Sequence, residues 1–242
     1  MRRGLAALFL FCLPASPAFA GMPYTTQMTC PIGGERFNFT TTASYSIFGI
    51  RPDGKPYGSW TFPLAVPECP SNGLLIYKER FDPAELDRLR PLIESAEYRA
   101  LRQQQETPYY RLSWLLGRMG EPRDNVIWAL VRATWEPADD SPVRRRYLGE
   151  LAARISEESG PPANIAGYAL RAYAINALRE LGRFDEATAL LARTPLEPLG
   201  PSGTLPGAED RNRAGWLDYY TKIRTVIGRR DSSTEPAEFA QR

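Results

Sequence analysis

The chain has 242 residues, with 30 Lys and Arg against 28 Asp and Glu, three cysteines and no histidine. The lack of histidine excludes Ser-His-Asp and Cys-His nucleophile pairs, histidine general bases and every zinc set that contains His. The near-neutral balance lacks the net basic surface that drives counterion-release binding to nucleic acids, and no P-loop, GxGxxG or GxSxG pattern occurs.

Residues 1–20, MRRGLAALFLFCLPASPAFA, open on Arg2 and Arg3, run through an apolar stretch from Gly4 to Leu13 and end on Ala18-Phe19-Ala20. That order is a secretory signal peptide, with cleavage expected between Ala20 and Gly21. About ten apolar residues fall short of the ~20 that span a bilayer, and no later stretch reaches that length, so no membrane span is expected after cleavage. Cys12 follows Leu10 and Phe11 rather than the small residues of a lipoprotein signal. The expected location is the bacterial periplasm or the secreted fraction. Removing the leader takes 242 residues to 222, and removing Arg2 and Arg3 leaves 28 basic and 28 acidic residues.

From residue 21 to about residue 80 the pattern is β and turn. Phe37-Asn38-Phe39-Thr40-Thr41-Thr42 is aromatic and β-branched with period-2 alternation, which predicts a strand. Asp53-Gly54-Lys55-Pro56 is a turn signal. Ser59–Phe62 and Leu74–Tyr77 are predicted as further short strands, and Pro63, Pro67 and Pro70 forbid a central strand between them.

Helical patterning runs from 81 to 228. Asp82 is an N-cap with Pro83 at the first helical position and Glu85 in the first turn. Leu86, Leu89, Ile93 and Leu101 follow at helical spacing, with Pro91 as an expected boundary or kink. Thr107-Pro108 opens a second helix, with Tyr110, Leu112, Trp114, Leu115 and Met119 on its apolar face and Gly120 as its stop. Val126, Ile127, Leu130, Val131 and Ala133 mark a third. Ser141-Pro142 starts a fourth, in which Tyr147, Leu148, Leu151, Ala152 and Ile155 keep one face, and Gly160-Pro161-Pro162 ends it. Tyr168–Leu181 and Asp185–Arg193 form a helix pair joined at Gly182. A Pro/Gly-rich loop covers 195–207, and Trp216, Tyr220, Ile223 and Ile227 mark a last helix that stops at Gly228. The tail, 229–242, has no apolar period and is expected to be disordered.

Leu181-Gly182-Arg183-Phe184 followed by Ala187 resembles the inter-helix turn of a tetratricopeptide (TPR) repeat. Gly turns the chain sharply, the aromatic plugs the gap, and the small Ala lets the second helix approach the first. Trp114-Leu115-Leu116-Gly117 with Ala129 is a weaker echo. The alternative is an αα-hairpin in an ordinary bundle. The expected fold is therefore α+β and mainly α: an N-terminal β region over 21–80, then a TPR-like antiparallel helical body over 81–228.

Two stretches share one frame, Cys-Pro-x-x-Gly: Cys30-Pro31-Ile32-Gly33-Gly34 and Cys69-Pro70-Ser71-Asn72-Gly73. Each is a Cys-Pro-x-Cys-Gly zinc knuckle with its second ligand position replaced, by Gly33 and by Asn72. Two such knuckles, a short strand at Leu74–Tyr77, the run FDPAELDRLRPLIESAEYRAL and the helical stretches YYRLSWLLGRMG and LRELGRFDEA together resemble domain-of-unknown-function family 2225 across most of 29–195. The resemblance implies a zinc-ribbon-like head on a helical body and no activity to inherit.

Cleavage leaves Cys30 and Cys69. Structural zinc takes four Cys or His ligands, and two thiolates on one zinc lie about 3.8 Å apart, a modest shift from a disulfide. An even cysteine count and an oxidising compartment favour a Cys30–Cys69 disulfide over an open zinc site or two buried thiols. No metal or other cofactor is expected. Gly33 and Asn72 then suit turns.

The expected function is a non-catalytic protein-interaction or scaffold module of the envelope. Its partner would be a protein of unknown identity bound in a helical groove. Tyr109, Tyr110, Trp114, Trp128, Trp135, Tyr168 and Tyr173 supply aromatic side chains for such a groove or for the core. The alternative is an envelope hydrolase that uses a carboxylate pair, with Asp139 and Asp140 or Glu157 and Glu158 as the adjacent acids.

Overall fold

The computed structural model describes residues 21–158, 160–200 and 207–240, so Ala20 of the expected cleavage site lies outside the described residues. Among these residues two antiparallel two-stranded sheets precede eight α-helices, the mainly α, α+β order that the sequence predicts. Strand β1 (Pro23–Thr29) pairs with β2 (Arg36–Thr42), from Pro23 opposite Thr42 to Thr29 opposite Arg36, and the first knuckle is the turn between them. Strand β3 (Ile47–Ile50) pairs with β4 (Pro56–Gly58), with 51–55 as the connecting loop.

Two expected strands do not form. Ser59–Phe62 is irregular: Phe62 buries its ring edge-on against Tyr45, and Pro63 has no N–H to extend a ladder. Leu74–Tyr77 is extended but unpaired apart from one bridge, Glu68 to Leu75. Leu74 and Leu75 are both fully buried, which the two-sided alternation of a half-exposed strand does not allow.

The helices expected to open at Asp82, Thr107 and Ser141 start there, whereas the helix expected from Tyr168 starts at Ile165, capped by Asn164. In α1 (Pro83–Ile93) Glu85 N–H donates to the Asp82 carboxylate and Asp82 N–H donates to the Glu85 carboxylate, a closed capping box. Pro91 does not break the helix. The chain turns instead at Glu94, and Ser95 caps α2 (Ala96–Gln103). Then come α3 (Pro108–Met119), α4 (Arg123–Ala133), α5 (Pro142–Ser156), α6 (Ile165–Glu180), α7 (Phe184–Ala192) and α8 (Ala208–Gly228). Helix α3 packs on α4, α5 on α6, and α6 on both α7 and α8. At the α6–α7 turn Gly182 takes φ +75°, while Phe184 and Ala187 are buried beneath it, as the repeat-like motif requires.

Two apolar clusters hold these elements. One joins Cys30, Ile32, Cys69, Leu74 and Leu75 to Leu89, Ile93, Tyr98, Leu112 and Leu115, so the knuckles and α1–α3 share a core across residue 80. The other fills α4–α8.

The segment after α8 departs from the disorder expected of it. Arg179, fully buried on α6, donates from Nη1 to the Asp231 carbonyl at 2.8 Å and the Ser233 carbonyl at 2.7 Å. Phe239 packs edge-on against Tyr219. A buried guanidinium needs acceptors on every side, and the tail's backbone supplies two. No apolar period is needed for that.

Candidate interaction surface

The two knuckles are built alike. Cys30 N–H donates to the Glu35 carbonyl at 2.8 Å and Gly34 N–H to the Cys30 carbonyl at 3.2 Å. Cys69 N–H donates to the Leu74 carbonyl at 2.9 Å and Gly73 N–H to the Cys69 carbonyl at 2.8 Å. Gly33, Gly34 and Gly73 all hold positive φ, which these turns require and which side chains resist. The Cys30 and Cys69 sulfurs lie at disulfide distance, both residues fully buried. The positions that would carry the other two zinc ligands face each other. Asn72 Nδ2 donates to the Ile32 carbonyl at 2.8 Å, its Oδ1 accepts from Leu74 N–H at 2.9 Å, and Gly33 lies beside the carboxamide. A paired cysteine couple with a glycine and an amide does not fit zinc, which takes thiolate and imidazole ligands. Asn72 instead ties one knuckle to the other, and the Ser71 side chain, with the Ser71 N–H bonded to the Glu35 carboxylate, holds Glu35 below the usual carboxylate range.

The β3–β4 loop enters the helical body. Asp53, 3 % exposed, accepts from Arg144 Nη2 at 3.0 Å and lies 3.5 Å from Arg51. Arg144 in turn pairs with Glu180 at 2.6 Å. Burial pushes Glu180 up, against the pull of Arg144. Trp135 Nε1 donates to the Asp53 carbonyl, Lys55 Nζ to the Trp135 carbonyl, and Tyr219 Oη to the Pro52 carbonyl. A Cβ on Gly54, at φ +81°, would stand 2.5 Å from the Tyr173 ring, so only glycine fits under it.

This contact changes the reading of the aromatic residues. Trp135 and Tyr173 grip the loop, and Trp128 packs edge-on against Tyr173. Tyr168 donates to the Pro195 carbonyl, Tyr109 to the Leu64 carbonyl, and Tyr110 stacks on Tyr147. Trp114 lies over Tyr98 and under Arg118. They serve the fold and the loop contact rather than an open groove.

The adjacent acids do not make a dyad. Burial raises Asp139, but its bidentate bond to Arg51 and the charges of Arg51, Arg144 and Lys55 outweigh that and hold it below its ordinary range. Glu158 pairs with Arg123 and Arg171. The carboxylate that sequence reasoning missed is Glu136. Burial pushes it up to about 7 against the bonds it accepts from Thr107 and from Tyr109 N–H, by which it caps α3 from outside. A carboxyl raised in the folded state stabilises most below its unfolded value, and that contribution is lost as pH rises through about 7. Stability should therefore fall between pH ~5 and pH ~8 by up to about 3 kcal/mol. Glu136→Gln should remove this slope in urea titrations run across the range.

What lies open is apolar and sits on the β region. Tyr45, Ile47, Phe48, Ile50 and Tyr57 lie on the β3–β4 hairpin and its approach, with Ile50 and Tyr57 on opposite faces by the strand register, and Met22 and Tyr24 are exposed at the start of β1. These residues are 44–67 % exposed, and among the described residues the one other exposed large apolar side chain is Val143, at 37 %. The strands are tied together: Gly21 N–H donates to the Ser59 carbonyl, Met22 N–H to the Ser44 carbonyl, and Ser59 N–H to the Ser46 carbonyl. Residues 37–50 and 56–67 carry no charge, and Arg51, Asp53 and Lys55 between them all turn into the helical body. Half-exposed side chains of this size offer on the order of 600 Å² of apolar surface over the faces together.

No family model, curated protein or solved structure matches the chain.

Proposed function

We propose that the protein is an exported, non-catalytic interaction or scaffold module of the bacterial envelope, and that the exposed apolar side chains of its β hairpins around Phe48 make the contact. The concentration of exposed apolar side chains on the β hairpins, where residues 37–50 and 56–67 carry no charge, carries this reading. The helical body, with its aromatics engaged, acts as the platform that holds the hairpin loop. The signal-peptide pattern of residues 1–20 and the paired cysteines support export. The twin knuckles support a place beside family 2225, as a branch that replaced the metal with a covalent bond.

The test is capture of a partner from an envelope extract, then direct binding with that partner purified. Wild type and Val143→Glu should bind alike, and Phe48→Glu should bind at least about 30-fold more weakly, the loss of one interface hot spot. Equal binding by all three would refute the assignment of the surface.

A further inference from the structure

Resting on the reading of residues 1–20 as a leader removed on export, we propose that the fold contains a seat for the Gly21 α-ammonium that cleavage frees, and that this charged terminus ties the two hairpins together. Gly21 stands where the two sheets meet. Its N donates to the Ser59 carbonyl at 2.7 Å, just past the end of β4. Met22 N–H donates to the Ser44 carbonyl at 3.3 Å, in the connection between β2 and β3, and Ala43 N–H returns a bond to the Met22 carbonyl at 2.8 Å. Ser59 N–H in turn bonds the Ser46 carbonyl at 3.0 Å. The first two residues after the leader thus hold the β1–β2 sheet, the 43–46 connection and the end of β4 in one place.

The seat fits glycine and nothing larger. A Cβ on residue 21 would stand 2.5 Å from the Ser44 carbonyl oxygen, 3.0 Å from Thr42 Oγ1 and 3.2 Å from the Trp60 ring. The demand is for space, since Gly21 is not among the glycines at positive φ. Joined to Ala20, the Gly21 nitrogen gives the Ser59 carbonyl a neutral amide hydrogen bond. Freed by cleavage, the same nitrogen is an ammonium, and its bond to that carbonyl becomes charge-assisted, roughly twice as strong. Leader removal therefore adds to the stability of the fold, and the uncleaved chain lacks that addition. Tyr45 is the one titratable side chain in the segments that pack on Gly21, residues 42–46 and 58–60.

The experiment has two parts. The mass of the N-terminal peptide of the exported chain should show Gly21 as its first residue. Thermal melting of that chain is then compared with a form carrying one extra glycine ahead of Gly21 and with Gly21→Ala. At pH ~6 the chain that begins at Gly21 should melt about 2–4 °C above the extended form. The carbonyl favours the charged amine, so this advantage is complete below the ordinary α-amino value of about 8 and is lost as pH rises beyond it. Tyr45→Phe should keep that pH step, and Gly21→Ala, whose Cβ does not fit the seat, should lack it. Equal melting of the Gly21 and extended forms at pH ~6 overturns the seat and leaves export untouched, as does a step that persists in Gly21→Ala. An exported chain that keeps residues 1–20, or begins at another residue, sinks the leader reading and the seat with it.

Discussion

Asp53→Ala is expected to cost about 3–5 kcal/mol of stability, the loss seen when one partner of a buried ion pair is removed. The cause is the company that Asp53 keeps. Its Oδ2 accepts from Arg144, itself 2 % exposed, and Oδ1 accepts from Lys55 N–H, while Arg51 lies close by. Arg51, Lys55, Arg144 and Arg179 face only Asp53, Asp139 and Glu180 in this cluster. Removing Asp53 leaves four cations against two anions, with Arg51, Arg144, Arg179 and Glu180 buried and Asp139 half-exposed. The loop 51–55 should then leave the helical body, freeing Trp135 from the Asp53 carbonyl and shifting its fluorescence. Urea denaturation measures the cost as a lower midpoint. Asp53→Asn keeps the shape and an acceptor for Lys55 N–H, so a similar loss there assigns the effect to charge. A cost below ~1 kcal/mol for both variants would place this cluster with ordinary surface pairs.

Removing the Cys30–Cys69 bond is expected to cost about 4 kcal/mol by the chain-entropy account of a loop this long. The two cysteines are 39 residues apart in sequence, and the loop they close contains β2, the β3–β4 hairpin and the charged loop at its tip. The knuckles should still meet without it, because Asn72 to Ile32, Ser71 to Glu35 and the buried leucines remain. The effect therefore falls mainly on the unfolded chain, which gains freedom. Calorimetry should show a melting temperature lower by about 8–16 °C for a chain of this size. Reduced wild type and the double variant Cys30→Ala/Cys69→Ala should agree closely. A reduced protein that melts within ~2 °C of the oxidised one would show that the bond adds little beyond the packing around it.

These two locks were legible to different degrees. The cysteine pairing follows from short-range facts: two identical Cys-Pro-x-x-Gly frames, an even count after the leader, and glycines where turns need positive φ. Helix starts were legible for the same reason, since a cap such as Asp82 with Glu85 is satisfied within four residues. Pro91 misled because its cost falls on one bond near the helix end. The Ser59–Phe62 and Leu74–Tyr77 strands misled because apolar runs there serve burial rather than pairing. The tail misled because the buried Arg179 holds it through backbone carbonyls that carry no sequence signal, and Phe239 packs on Tyr219.

The charged cluster and the open face share a deeper reason for being missed. Asp53-Gly54-Lys55-Pro56 is a turn by every local rule, and it is a turn. What makes it the link between the β region and the helices is Arg144, 91 residues away, and Glu180 beyond that. Likewise Ile47, Phe48 and Ile50 have the composition of core strands. They stay open because the sheet they belong to has two strands and no third layer over it. The sequence by itself determined the local parts: the leader pattern, the twin knuckles, the helix order, the cysteine pair and the excluded chemistries. Most rest on interactions between residues a few positions apart or on residue types that are simply missing, and the cysteine pair, 39 residues apart, rests on there being two cysteines beyond residue 20. Only the tertiary structure decided which charges are buried together, which aromatics are consumed by the fold and which apolar face is left for a partner. Those depend on burial, and burial is set by what the distant parts of the chain bring to the same place.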